Sequence, residues 1–392
     1  MPFVLYLLGL AVFAQGMSEF MLSGLVPDIA RDLGVSIPAA ASLTSAFAVG
    51  MIVGAPLMAV AGLRWPRRRS LLVFLVTFLL AHVAGALTSH YGVLLATRVV
   101  AALANAGFLA VALTTATALV PANAKGRATS ILLGGITVAC VAGVPAGALL
   151  GQLWGWRSAF WAVALLSAPA VLAILKWVPE GTDPSTAPGV RGQARALLAP
   201  RPAVFLLLCA LVNGATFCAF TYLAPLLTEV TGAGRALVPA VLALFGLGSF
   251  IGVTVSGRFA DTRPVPLLVT GGAALLVGWS VFALSAGSPV ATAVLVLMLG
   301  ALSFAVGSTL VSQVFYSAAG APTLAGAAAT AAFNVGAALG PWLGGVAAGA
   351  GPGYRGPLWV SALLIALAVA VASVAALGRV FGAPPPVRRV RG

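Results

Sequence analysis

Residues Gly134–Phe160 read GGITVACVAGVPAGALLGQLWGWRSAF. The run is apolar and long enough to cross a bilayer, yet it carries glycine at 134, 135, 143, 147 and 151 and proline at 145. Gly costs roughly 1 kcal/mol and Pro roughly 3 kcal/mol in an ordinary helix interior, so this density needs a reason. A membrane supplies one: small residues let helix backbones approach closely, and neighbouring helices re-satisfy the groups that a proline frees. Gly143, Gly147 and Gly151 recur every four residues and so share one face. Trp154 and Trp156 fall where an aromatic belt belongs, with Arg157 just beyond. The stretch is expected to be a close-packed, kinked helix at the centre of a polytopic membrane protein.

Composition agrees. Of 392 residues, 61% are hydrophobic and 7% charged, with mean hydropathy +1.10, whereas about a quarter of a soluble domain is charged. A net charge of +14 would suggest nucleic acid in a soluble protein. Here the basic residues cluster in loops, so no nucleic-acid partner is expected. Cys140, Cys209 and Cys218 all lie in apolar spans and read as small core residues, not a disulfide framework. The first apolar run lacks a basic leader and a cleavage site, and reads as a first transmembrane helix.

Spans of about 20 apolar residues fall near 3–24, 39–62, 70–90, 92–120, 128–152, 158–178, 202–228, 237–257, 265–286, 289–316, 323–349 and 357–378. The expected fold is therefore an all-α integral membrane protein, with twelve transmembrane helices in two pseudo-symmetric six-helix bundles. The bundles are assigned to residues 1–178 and 202–378, a cytoplasmic linker to 179–201 and a basic cytoplasmic tail to 379–392. With both termini cytoplasmic, the inner loops hold sixteen Lys and Arg residues and the outer loops four, Arg31, Arg157, Arg235 and Arg355. That bias favours this orientation in a cell membrane.

Shifting the chain by 198 residues puts Pro27 on Pro225, Gly34 on Gly232 and Gly155-Trp156-Arg157 on Gly353-Tyr354-Arg355. One offset serving separate places indicates a parallel duplication, and such transporters bind substrate between their halves near the midplane.

Charges inside a membrane are expensive and are functional candidates. Glu19 in the first span and Arg98 in the fourth sit at similar depth by residue counting. Two readings stand. Glu19 is a proton acceptor whose charge state responds to burial and to Arg98, or helices 1 and 4 are held together by a static Glu19–Arg98 pair or by an arginine satisfied by backbone carbonyls. Candidate residues for a substrate cavity are Gln15, Asn105, Asn213, Tyr222, Gln313, Tyr316 and Asn334. Each is equally a candidate interhelical hydrogen-bond donor. Together they describe a mainly apolar site suited to a neutral or weakly charged amphiphile.

Enzyme chemistry is not legible. Lys125 follows Ala124 and Lys176 follows Leu175, so neither forms a P-loop. His82 and His90 cannot form an HExxH zinc site, and His82 reads as a packed residue of the third span. No metal or organic cofactor is expected, and energy would come from a proton gradient.

These residues resemble the major facilitator superfamily, in particular its twelve-helix drug:proton antiporters. The run Gly143-Val144-Pro145-Ala146-Gly147 with Gly151 and Trp156-Arg157 resembles the antiporter motif of that group. Arg98 matches its fourth-helix arginine, which the resemblance associates with proton coupling. Ser18-Glu19-Phe20 through Pro27 is similar to the actinobacterial chloramphenicol-efflux branch. The resemblance implies a monomer that exports a small amphiphilic drug such as chloramphenicol by alternating access. A same-fold uptake carrier, and a polytopic membrane enzyme or assembly factor, are the rival readings. One departure stands out. Where the family's loop between helices 2 and 3 carries glycines and an acid, this chain has Ala59, Leu63, Pro66, Arg67 and Arg68, while the second copy keeps Gly257 and Asp261. The resemblance makes Arg67, Arg68, Gly257 and Asp261 candidates for a cytoplasmic gate; a plain positive anchor is the alternative for the arginines.

Overall fold

The computed structural model describes residues 2–61, 66–121, 125–179, 190–259, 264–318 and 324–378. Its helices are α1 (Phe3–Phe20), α2 (Leu22–Leu33), α3 (Ile37–Ala61), α4 (Arg67–Leu87), α5 (Tyr91–Ala118), α6 (Lys125–Val138), α7 (Val144–Trp154) and α8 (Trp156–Trp177). They continue with α9 (Val190–Leu197), α10 (Pro200–Thr221), α11 (Leu223–Glu229), α12 (Val238–Phe259), α13 (Pro264–Ser285), α14 (Pro289–Ser317), α15 (Leu324–Gly349) and α16 (Gly356–Leu377). Among the described residues twelve segments are long and apolar enough to cross a membrane. A helix satisfies every interior backbone group within itself, which hydrocarbon demands.

The first span runs further than the sequence suggested, because α1 is followed by α2 after a single break at Met21. The break is a tightened turn in which the Gly24 N–H donates to the Met21 carbonyl three residues back. Pro27 then lies inside α2, and Gly34 closes that helix in the left-handed region with φ 64°. The second copy repeats the device. Tyr222 separates α10 from α11, and Gly232 has φ 69°. Gly155 and Gly353 also match, with φ 81° and 59°.

The packing is duplicated too. In the first half α1 packs on α6 and α8, α3 on α5, and α4 on α5 and α8. In the second, α10 packs on α15 and α16, α12 on α14, and α13 on α14 and α16. These are the same neighbours in the same order, which establishes two pseudo-symmetric six-helix bundles. The bundles meet where α3 packs along α15 and where α7 packs on α12. Of the stretch read as a linker, residues 179 and 190–201 are described and include α9 and the start of α10; the basic tail lies outside the described residues.

The quoted stretch is α6, a π-helical turn at Ala139–Gly143, and α7. Pro145 has no N–H to give the helix. Just before it the Val144 N–H reaches back five residues to Ala139, a π-type bond that widens the turn. The glycine face packs on the first span. A Cβ added at Gly143 would lie 3.2 Å from the Met17 Cβ, and one at Gly147 would lie 2.9 Å from the Met21 Cβ. Gly151 is pressed in the same way against Leu25.

Candidate functional site

Arg98 is the largest fully buried side chain, with 1% exposure. Three helices converge on it. Its Nη1 donates to the Ser18 Oγ at 2.8 Å and its Nη2 to the Ser18 carbonyl at 2.7 Å. The Phe47 ring of α3 lies 4.5 Å from its guanidinium carbon and the Phe160 ring of α8 lies 5.9 Å away, close enough for cation–π attraction. The hydrogen bonds of Arg98 thus go to the residue next to Glu19. The Arg98 Nε has no partner among the described residues, and Glu19 is half-buried one residue from Ser18.

His82, by its sequence a packed residue of the third span, belongs here. The His82 Nε2 lies 2.7 Å from the Ser18 Oγ, and its Nδ1 lies 2.8 Å from the Phe78 carbonyl. His82 is 1% exposed. Its one sequence signal was that it is ionisable and lies inside an apolar span.

The other predicted cavity residues divide. Gln15, one turn from Ser18, is fully buried, and neither of its amide atoms has a partner among the described residues. The Asn105 Nδ2 makes a weak contact with the Met51 sulfur at 3.6 Å. Asn213 donates to the Phe333 carbonyl at 2.7 Å, Asn334 to Thr330 at 2.9 Å, and the Tyr222 hydroxyl to Pro341 at 2.9 Å. Those three side chains donate to backbone carbonyls, and Tyr222 in particular is buried. Gln313 is half-buried and Tyr316 exposed, both near the far end of α14 from Ser288. Gln15 is therefore the member of the group with unused buried polar atoms, each of which costs about 1–3 kcal/mol if left unpaired.

Between the halves lies an aromatic cluster that residue-by-residue reading missed. Phe20 of α1 approaches Phe217 of α10 at 5.9 Å, Phe220 stacks on Phe245 at 4.4 Å, and Phe245 meets Phe304 at 6.1 Å edge-on. With Val144 and Thr216 these rings enclose a small void of about 10 Å³. Its members come from five helices far apart in sequence, so no local pattern announces it.

One end of the molecule is tied across the halves by polar contacts. Asp28 of α2 pairs with Arg235, ahead of α12, and also with Arg31 at 3.3 Å. Gln152 donates to the Arg235 carbonyl at 2.6 Å, and Ser45 of α3 donates to Ala338 of α15 at 2.6 Å. Beside this tie, Asp32 is bonded by Arg157 and, at 3.0 Å, by the Trp156 Nε1. The hydrogen bond from Arg157, then that from Trp156, holds the Asp32 carboxyl below its ordinary range. This corrects the aromatic-belt reading of Trp156: it is 3% exposed and bound to Asp32, while Trp154 is 72% exposed. Of the gate candidates, the Arg68 Nη2 donates to the Leu175 carbonyl at 2.5 Å, within its own half. Arg67 opens α4, Gly257 lies in α12, and Asp261 lies outside the described residues.

The chain matches the profile of the Major Facilitator Superfamily over residues 8–331. It is 57% identical over 375 residues to a chloramphenicol resistance protein of Streptomyces lividans, covering 95% of this chain and 96% of that one. It is 34% identical over 362 residues to the inner membrane transport protein YdhP of Escherichia coli K12, covering 92% and 93%. A bacterial homologue of the human lysosomal transporter Spinster superposes with a TM-score of 0.76 over 98% of both chains, at 18% identity, a likeness of fold alone. With twelve apolar spans in two matched bundles, the chain belongs to the major facilitator superfamily, as a multi-pass membrane transporter.

Proposed function

We propose that this protein exports a small amphiphilic drug, with chloramphenicol the first substrate to test, in exchange for protons across the cell membrane. The observation that carries the reading is the 57% identity, along almost the whole chain, with a protein named for chloramphenicol resistance. The site chemistry is compatible with it. The space between the halves is walled by phenylalanine, and the buried polar atoms of Gln15 lie one turn from Ser18 on the first span. Opened by a parting of the two halves, such an aromatic lining would suit an aromatic amphiphile and offer little to a sugar. In this reading Glu19 carries the exchanged proton and Arg98 sets the field around it. Both termini are cytoplasmic, so the end tied by Asp28 and Arg235 faces outward.

Expression in a drug-sensitive bacterium tests the proposal. Chloramphenicol accumulation should fall relative to control cells, and a protonophore should restore it. Equal accumulation in both strains removes the drug assignment; a fall that ignores the protonophore removes the proton. Glu19→Gln should abolish proton-driven export while the protein still inserts, and undiminished export by that variant would remove Glu19 from the coupling step.

A further inference from the structure

Hydrogen-bond polarity around His82 admits one arrangement for a neutral ring. The Phe78 carbonyl can only accept, so the His82 Nδ1 carries the proton. The Nε2 then presents a lone pair, and the Ser18 hydroxyl donates to it. With its proton so directed, the Ser18 Oγ turns lone pairs to Arg98, whose Nη1 donates at 2.8 Å. The chain runs in one direction, from Arg98 through Ser18 to His82, and ends on the Phe78 carbonyl. It links α5, α1 and α4, three helices that local sequence does not connect.

The surroundings favour the neutral ring. Phe78 and Phe160 lie 4.2 Å and 5.8 Å from the imidazole, ring to ring. The charged groups nearby are Arg98 on α5 and Glu19, the neighbour of Ser18 on α1; α3 carries no charge, and α8 carries charge only at Arg157 and Lys176 near its ends. A second proton on His82 would place a cation beside the Arg98 guanidinium, with the Ser18 hydroxyl between them.

We infer that His82 is a positioning residue that fixes Arg98 through the Ser18 hydroxyl, acting as a permanent neutral acceptor and not as a carrier of the exchanged proton. The inference rests on the proposed proton-coupled export. It predicts that an acceptor unable to titrate can replace the imidazole, and that losing the acceptor is equivalent to losing the Ser18 hydroxyl.

Purified protein in proteoliposomes, driven by a proton gradient and supplied with chloramphenicol, separates the possibilities. His82→Gln should transport within about twofold of wild type with an unchanged pH profile, because the amide oxygen still accepts from Ser18. His82→Phe and Ser18→Ala should each lose about tenfold in kcat/KM, the scale of one charge-assisted hydrogen bond. The double variant should be no worse than the poorer single, since both act on one chain. A pH profile flattened by His82→Gln, or additive losses in the double variant, overturns the inference. A second measurement is independent of folding in the variants. The sequence has two histidines, so imidazole ¹⁵N resonances in detergent are assignable with a His90→Gln control. His82 should stay a neutral Nδ1–H tautomer from about pH 5.5 to 8.5, within which a free histidine titrates, and Ser18→Ala should shift its Nε2 signal. An imidazolium signal in that range overturns the inference. Should wild type fail to exchange drug for protons at all, the export reading falls, while the resonances still decide whether His82 is a fixed acceptor.

Discussion

Asp32 shows how one side chain can join three elements. It takes hydrogen bonds from Arg157 and Trp156 at the start of α8, and Arg157 also donates to the Thr88 carbonyl past the end of α4. Because its carboxyl is held below the ordinary carboxylate range, its contribution to stability is complete above the unfolded value, about 3.9. That contribution is lost as pH falls through the lower folded value. Detergent-solubilised Asp32→Asn should therefore melt below wild type at pH 7, and the gap should close in strong acid. A gap independent of pH would mean that the carboxylate charge is not what matters. The 198-residue offset places Val230 opposite Asp32, so the second half lacks this lock. By residue class and position Trp156 suits a membrane surface. What turned it inward was an acid 124 residues earlier, and no local pattern contains that partner.

At the scale of elements, the glycine seam was legible and its destination was not. Spacing alone put Gly143, Gly147 and Gly151 on one face, and three-dimensional packing laid that face on Met17, Met21 and Leu25. The other bundle has a glycine seam of its own. A Cβ at Gly336 would meet the Gly214 nitrogen at 2.6 Å, and one at Gly344 would meet Tyr222 at 2.9 Å; Gly340 presses between them on Gly214 and Cys218. Each bundle thus seats its fifth span on its first through glycine. The proline does differ, for Pro341 is carried inside a continuous α15 while Pro145 follows a π turn. Gly147→Leu should abolish drug export while leaving the protein inserted, since overpacking at such a contact costs typically 1–3 kcal/mol. Wild-type export would reduce the seam to ordinary packing. Pro145→Ala restores a backbone donor and should remove the π turn. It should raise the melting temperature and slow transport, and a variant both less stable and fully active would contradict that account.

For the whole molecule, the tie between Asp28 and Arg235 is the feature most open to regulation if the protein works by the proposed alternating access. Arg235 is half exposed at 51%, and exposed ion pairs contribute about 0–1 kcal/mol. A bond of that strength can close one end without trapping the carrier. Asp28→Asn should therefore shift the balance between closures by up to about fivefold, that energy expressed as a ratio. A cysteine placed at Ser45, which bonds Ala338 across the halves, should react several-fold faster with an impermeant maleimide in the variant. An unchanged rate would exclude the pair from closure.

By itself the sequence determined the class of fold, because a bilayer demands long apolar spans and the parallel duplication repeats Pro27, Gly34 and Gly155 at one offset. It also determined that Glu19 and Arg98 are the charges placed within those spans. Only the tertiary structure decided what each of them touches: Arg98 reaches Ser18 and through it His82, and three polar cavity candidates turn to backbone carbonyls. Helix periodicity specifies which face a residue occupies, whereas partners on different helices follow from how the bundles pack.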